Sequence, residues 1–302
     1  MTEKQHTPDA EANAAGPAAV PSVVGVLGGG RMGGGIAHAF LVSGATEVVV
    51  VERDPQSAEA AKERIEADLA TSLERGKLDG NLDAWAERLT VSVDRSDFAR
   101  CDLVVEAVFE DMQVKIEALT DVEKHLAEDA WLASNTSSLS IDEIAGHLQR
   151  PERFCGLHYF NPVPASKLVE VVIGERTGEE LTRLSSEWVR GLGKTPVVVK
   201  DAPGFASSRL GVAIALEAIR MVEEGVASPE DIDAAMVLGY KFPVGPLALT
   251  DIVGLDVRLG IAEYLESQLG ERFAPPQLMR DMVARGELGR KSGKGFFDYG
   301  QG

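Results

Sequence analysis

Cysteine is scarce in this chain: its 302 residues hold two, Cys101 and Cys155. Neither sits in a Cys-x-x-Cys pair or beside a cluster of histidines. Neither a disulfide scaffold nor a zinc site is therefore indicated, and no bound metal is expected. The two thiols read as reduced, buried side chains, which suits a reducing compartment. Positive charge is short as well: 30 Lys and Arg stand against 48 Asp and Glu, for a formal net charge of −18. Nucleic-acid binders neutralise phosphates with a basic face, so nucleic acid is not an expected partner. No apolar run approaches the roughly 18 residues of a membrane span, so no membrane partner is expected either.

What is present fits a soluble globular protein, with 44% hydrophobic and 26% charged residues. The length suits two domains, since single domains usually run to about 100–200 residues. Residues 1–21 are rich in Ala, Pro and small polar residues without apolar periodicity, and read as a disordered tail. They have neither the apolar core of a signal peptide nor the arginines of a transit peptide, so a cytoplasmic location is expected.

Short buried strands are expected at Val23–Leu27 and Glu47–Val51, and further strands at Cys101–Val108, Leu168–Ile173 and Pro196–Val199, with Ala130–Ser134 leading into Asn135-Thr136-Ser137-Ser138. Helical stretches lie between them, at Ile36–Ser43, at 57–75 (where Ile65, Leu69 and Leu73 share a face) and at Val114–Leu126. Strands alternating with helices define an α/β fold, a Rossmann-type doubly wound, mainly parallel sheet. After Asp201-Ala202-Pro203-Gly204 the pattern turns helical, at Ser208–Glu224, Ser228–Leu238 and Leu255–Leu269. The expected organisation is a tail at 1–21, a nucleotide-binding domain at 22–200 and an all-α C-terminal domain at 201–302.

Gly28-Gly29-Gly30-Arg31-Met32-Gly33 matches G-x-G-x-x-G. The pattern alone is weak, but here it follows a buried strand, opens a helix, and has Glu52 closing the next strand 24 positions after Gly28. Gly28 permits the tight turn, Gly30 admits a pyrophosphate to the backbone, and Gly33 lets helix and strand pack closely. The helix N-terminus offers unpaired N–H groups to the phosphates. Glu52 suits the adenine-ribose hydroxyls and repels a 2′-phosphate, so NAD is expected over NADP. Arg53 is read as a cover for the adenine face or a solvated side chain.

His158 lies in Gly-Leu-His-Tyr-Phe-Asn-Pro, before the proline-bounded loop Asn161–Pro164. Glu170 follows within the apolar run Leu168–Val172, where a carboxylate is costly without a partner. His158 is one candidate partner, and Lys167 or an arginine is another. A Glu–His pair orients an imidazole and stabilises its protonated form, as a general base for alcohol oxidation requires.

Several stretches together make a more specific pattern: GGGRMGGGIA, VVEAVFEDMQVK, SNTSSLSI, RFCGLHYFNPVPASKLVEVV, PGFASSRL, GPLALTDIVGLD and GRKSGKGFFDY. On these the chain resembles the short-chain L-3-hydroxyacyl-CoA dehydrogenase family, which includes 3-hydroxybutyryl-CoA dehydrogenases. The resemblance runs from residue 23 to the C-terminus. It implies that His158 is the base and Glu170 its support, and that Ser137 hydrogen-bonds the substrate oxygen. It places Glu110 and Lys115 at the nicotinamide-side ribose, Asn161 near the nicotinamide and Lys291 at the cofactor. Without it, Ser137 reads as a helix cap, Lys115 as a solvated helix residue and Lys291 as part of a basic tail. It further implies an acyl-CoA substrate and a homodimer formed through the helical domain. The pattern departs at Ser208, where the family has an asparagine that helps hold the substrate oxygen. A serine hydroxyl keeps a weaker version of that role. The family's coenzyme A contacts are poorly matched too, which leaves Arg75 and Lys77 as phosphate partners. Two alternatives stand beside this reading: a same-fold dehydrogenase of a free hydroxy acid, and a non-catalytic NAD-binding protein.

Overall fold

The computed structural model describes residues 20–300. The tail expected at 1–21 lies mostly outside the described residues. Its last two members belong to the fold, Val20 packing against the core and Pro21 being buried.

The first compact unit comprises residues up to Thr136 together with Ile141–Asp201. Its strands are β1 (Val23–Leu27), β2 (Glu47–Val51), β3 (Leu89–Ser92), β4 (Leu103–Glu106), β5 (Trp131–Ser134), β6 (Phe154–Tyr159), β7 (Leu168–Ile173) and β8 (Thr195–Lys200). They form one eight-stranded sheet in the order β3-β2-β1-β4-β5-β6-β7-β8. Every neighbouring pair is parallel except β6–β7, which is antiparallel. Apart from Val23 at its start, the valines and leucines of β1, β2 and β4 are buried, as helix-covered parallel strands require. The helices are α1 (Arg31–Val42), α2 (Pro55–Glu74), α3 (Leu82–Ala86), α4 (Met112–Glu123), α5 (Ile141–Ala145) and α6 (Glu179–Gly191). The chain order reverses between β1 and β4. In such sheets this crevice, at the carboxyl ends of the strands, is where ligands bind.

α1 begins at Arg31, five residues before the helix expected from the sequence. Gly33, Gly34 and Gly35 disfavour helix by roughly 1 kcal/mol each relative to Ala and hide its first turn. α2 starts as its sequence dictates: the Asp54 carboxylate accepts from the Ser57 N–H at 2.7 Å, and Pro55 occupies the first helical position.

The second unit comprises Ser137–Ser140 and residues from Ala202 onward. It holds α7 (Ser207–Glu223), α8 (Pro229–Ala234), α9 (Pro246–Val253), α10 (Leu255–Leu269) and α11 (Gln277–Ala284). Where one helix was expected over Ser228–Leu238, α8 stops at Ala234 and continues as a π-helical turn, Ala235–Gly239. The core of this unit gathers Val212, Leu216, Ile219, Ile232, Leu247 and Leu265. Among the described residues no helix is long and apolar enough to cross a membrane, and no cluster of His, Cys, Asp and Glu could hold a metal. Both cysteines are buried and unbridged, and burial pushes each thiol up to about 12.

Candidate active site

β1 ends in the glycine loop, and each glycine has a distinct physical reason. Gly28 takes a φ of +90°, and its N–H donates to the Val51 carbonyl at 2.9 Å. A Cβ on Gly33 would stand 1.7 Å from the Gly28 carbonyl oxygen, so only glycine lets α1 approach the loop. A Cβ on Gly30 would meet nothing within 4 Å, which leaves an open approach to the loop backbone. The N-terminus of α1 has no side-chain cap and no acid in its first turn. That combination suits an anionic diphosphate. Arg31 is exposed, while Met32 is half-buried and packs on the core.

Glu52 follows β2, and its carboxylate is fixed by the loop: Oε1 accepts from the Gly29 N–H at 2.7 Å and Oε2 from the Arg53 N–H at 3.2 Å. The Arg53 side chain is 86% exposed and pairs with Asp54 at 3.0 Å. The acid, not the arginine, is therefore held beside the glycine loop. Open loop, uncapped helix and fixed carboxylate together fit a dinucleotide with free ribose hydroxyls.

On the other side of the β1/β4 crevice lies a buried ionic network. Lys115 of α4 is enclosed, contrary to its reading as a solvated helix residue. Its Nζ donates to Glu106 Oε1 at 2.6 Å and to the Val108 carbonyl at 3.3 Å, and it pairs with Glu110 at 3.2 Å. Glu106 also accepts from the Val108 N–H and, at 2.5 Å, from Ser134 Oγ. Thr136 Oγ1 donates to Glu110 at 2.7 Å. Glu106 was not singled out from the sequence. The signal that marks Glu170, a carboxylate inside an apolar strand, is equally present in Leu103-Val104-Val105-Glu106.

His158 and Glu170 come from adjacent strands. They are direct partners in the antiparallel β6–β7 register, and His158 Nδ1 lies 2.8 Å from Glu170 Oε2. The residues are 6% and 1% exposed. Lys167 is exposed, so among the partners the sequence left open the histidine takes this contact. The Phe160 ring lies against the imidazole with centroids 4.4 Å apart. Asn161 is exposed in the loop that follows β6. Asn135 Oδ1 accepts from the Tyr159 N–H at 2.8 Å, tying the end of β5 to the end of β6. With Nδ1 committed to a carboxylate, the imidazole tautomer is set and Nε2 becomes the proton acceptor.

In the second unit Ser137 and Ser208 are neighbours: the Ser208 hydroxyl donates to the Ser137 carbonyl at 3.4 Å. Lys291 sits in a 3₁₀ turn, not a loose basic tail, and bonds Asp256 at 2.6 Å. Arg75 is exposed at the C-terminal end of α2 and joins none of these groups.

An oriented acid–base pair beside a dinucleotide fold defines a dehydrogenase. The family is then settled by similarity. Residues 23–202 match the model of the 3-hydroxyacyl-CoA dehydrogenase NAD binding domain, and residues 204–299 match that of the family's C-terminal domain. A Deinococcus radiodurans protein named "Probable 3-hydroxybutyryl-CoA dehydrogenase" is 44% identical, over 91% of this chain and 99% of its own. The 3-hydroxybutyryl-CoA dehydrogenase of Mycobacterium tuberculosis is 41% identical, over 91% of this chain and 98% of its own. A crystal structure of (S)-3-hydroxybutyryl-CoA dehydrogenase from Ralstonia eutropha matches with a TM-score of 0.88 at 37% identity, covering 93% of this chain and 100% of that one. The chain belongs to the 3-hydroxyacyl-CoA dehydrogenase family.

Proposed function

We propose that the chain oxidises short-chain L-3-hydroxyacyl-CoA, 3-hydroxybutyryl-CoA above all, to the 3-oxoacyl-CoA, reversibly and with NAD. The buried His158–Glu170 pair carries this reading, since a non-catalytic NAD-binding protein has no need of it. His158 Nε2 takes the 3-hydroxyl proton, and Glu170 holds the ring and stabilises the imidazolium that results. Gly28, Gly30 and Gly33, with the Arg31-Met32 turn between them, would hold the diphosphate of NAD and Glu52 its adenine ribose, and the bound cofactor would supply the acceptor for the hydride leaving C3. Glu110, kept in place by Lys115, serves the nicotinamide-side ribose, with Asn161 near the nicotinamide and Lys291 a further cofactor contact. Ser137 and Ser208 hold the substrate oxygen, and Arg75 meets a coenzyme A phosphate.

The working form is a homodimer through the helical unit, where Leu210, Leu249, Ile252, Val253 and Val257 are exposed apolar side chains. Its compartment is the cytoplasm, which suits two unbridged thiols.

The test is acetoacetyl-CoA with NADH and NADPH in parallel. NADH should be consumed rapidly, and His158→Ala should abolish the reaction. No oxidation of either cofactor by the folded wild type sinks the acyl-CoA reading.

A further inference from the structure

Arg258 is out of place in the second unit. α10 turns Leu255, Arg258, Ala262 and Leu265 to its buried side, a spacing that makes one helical face. Three of these are apolar and belong there, whereas Arg258 carries a charge and is only 7% exposed. Facing it on α7 is Gly211, where a Cβ would stand 3.1 Å from Arg258 Nη1. Glycine in mid-helix is unfavourable, and a side chain here would press on the guanidinium, which would have to give by a few tenths of an ångström. Ser208 lies one turn earlier on the same side of α7.

The guanidinium is unanswered. Among the described residues it makes no ion pair and no hydrogen bond, and its Nε is enclosed without a partner. Other buried charges in the chain are matched: Lys115 by Glu106, Glu123 by Arg150, and Asp233 by the N–H groups of Leu247 and Ala248. Burial alone pushes Arg258 down to about 10, so it stays protonated at neutral pH. An uncompensated buried charge is costly. The planar fork of a guanidinium fits a carboxylate through two parallel hydrogen bonds.

We propose that Arg258 is a specificity-determining residue that takes a carboxylate group of the substrate beside Ser137 and Ser208. This rests on the reading of those serines as substrate contacts. Two kinds of substrate carry such a group: a 3-hydroxyacyl-CoA whose acyl chain ends in a carboxylate, and a free hydroxy acid without coenzyme A. Gly211 leaves room for the guanidinium, Ser208 and Ser137 hold the reacting oxygen, and Arg258 reads the charge further along.

The experiment compares kcat/KM with NAD for 3-hydroxybutyryl-CoA, 3-hydroxyglutaryl-CoA, 3-hydroxyadipyl-CoA and free 3-hydroxyglutarate. It uses the full chain, Arg258→Met, Arg258→Lys and Gly211→Ala, with thermal unfolding and sedimentation on each. The wild type should turn over at least one carboxylate-bearing substrate with a kcat/KM within about tenfold of that for 3-hydroxybutyryl-CoA. Arg258→Met should cut that ratio by about 10–100-fold, mainly through KM, and Arg258→Lys should restore part of it. Gly211→Ala, which keeps the arginine but crowds Nη1, should lower the ratio in the same direction. Preference for a carboxylate-bearing thioester assigns the group to the acyl chain, and preference for the free acid assigns it to a substrate without coenzyme A. An unchanged ratio in a folded Arg258→Met overturns the proposal. So does a change of sedimenting mass without a change of ratio, which hands the guanidinium to an acid of a second copy. Wild type that turns over none of the four overturns the dehydrogenase reading as well, a result distinct from turnover without discrimination.

Discussion

Lys115 Nζ and Glu106 Oε1 stand 2.6 Å apart with both side chains essentially sealed from solvent. The pair spans the first turn of α4 and the last residue of β4, so it locks the loop that carries Glu110 to the sheet. Removing one partner strands the other. Glu106→Ala or Lys115→Met alone should cost about 3–5 kcal/mol of folding stability, while Glu106→Leu combined with Lys115→Met should recover most of it. Urea unfolding of the two singles and the double is the check. Strictly additive losses would mean that the contact contributes little.

The glycine loop separates folding from binding. Gly30→Ala puts a methyl where the loop meets no neighbour, so the unfolding temperature should hold while NADH affinity falls by at least about tenfold. Gly33→Ala drives a methyl into the Gly28 carbonyl. It should lose both affinity and stability, the latter by more than the ~1–3 kcal/mol of ordinary overpacking. Fluorescence titration with NADH beside thermal unfolding distinguishes the two variants. Equal behaviour would discredit the division of roles.

Glu170→Gln keeps the shape of the His158 contact and removes its charge. A fall in kcat of about 10²–10⁴ is expected with little change in KM. An unaltered kcat would reduce Glu170 to a packing residue. Ser208→Asn lengthens the donor beside Ser137 and should raise kcat on acetoacetyl-CoA by about tenfold. Unchanged kinetics would count against any role for Ser208 at the substrate oxygen.

Much of this was readable beforehand, and the exceptions share causes. β2 and β7 are dominated by valine, leucine and isoleucine, broken only by Glu47 and Glu170, so their positions follow mainly from hydrophobicity. β6 is just as buried, yet Phe-Cys-Gly-Leu-His-Tyr has no such run: Gly156 is there because a Cβ would press to 2.7 Å from Val172 of β7, a contact only the fold creates. β3 is a half-exposed edge strand, and its Leu-Thr-Val-Ser segment is too mild a pattern to detect. His158 and Glu170 could be named from the sequence, but their contact depends on an antiparallel register inside an otherwise parallel sheet. The pairing of Lys115 depends on a helix folding back over a strand end. The fourteen-residue reach of the Asp233 carboxylate to the start of α9 is equally invisible in a linear string.

Acid should weaken the fold through His38. Burial holds its pKa below the ordinary 6.5, assisted by Lys194 and Lys77 and opposed by Asp68. The folded chain therefore resists a proton that the unfolded chain takes up below about pH 6.5. Stability from this source is complete above that pH, declines as pH falls toward the folded-state value, and levels off beneath it. His38→Gln should flatten that part of the curve. Denaturant midpoints from pH 7.5 down to pH 5 would show it, and identical slopes in variant and wild type would rule it out.

The antiparallel β6–β7 pairing has a consequence for how this chemistry tolerates insertions. The histidine and its carboxylate meet because two strands are aligned residue for residue. A residue added to the loop at 160–167 changes only the length of a connection and leaves that alignment alone. A residue added within either strand turns one of the two side chains to the opposite face of the sheet. The proton-handling pair is thus elastic in its linker and brittle in its rails, and indels compatible with activity should accumulate in the former and be missing from the latter.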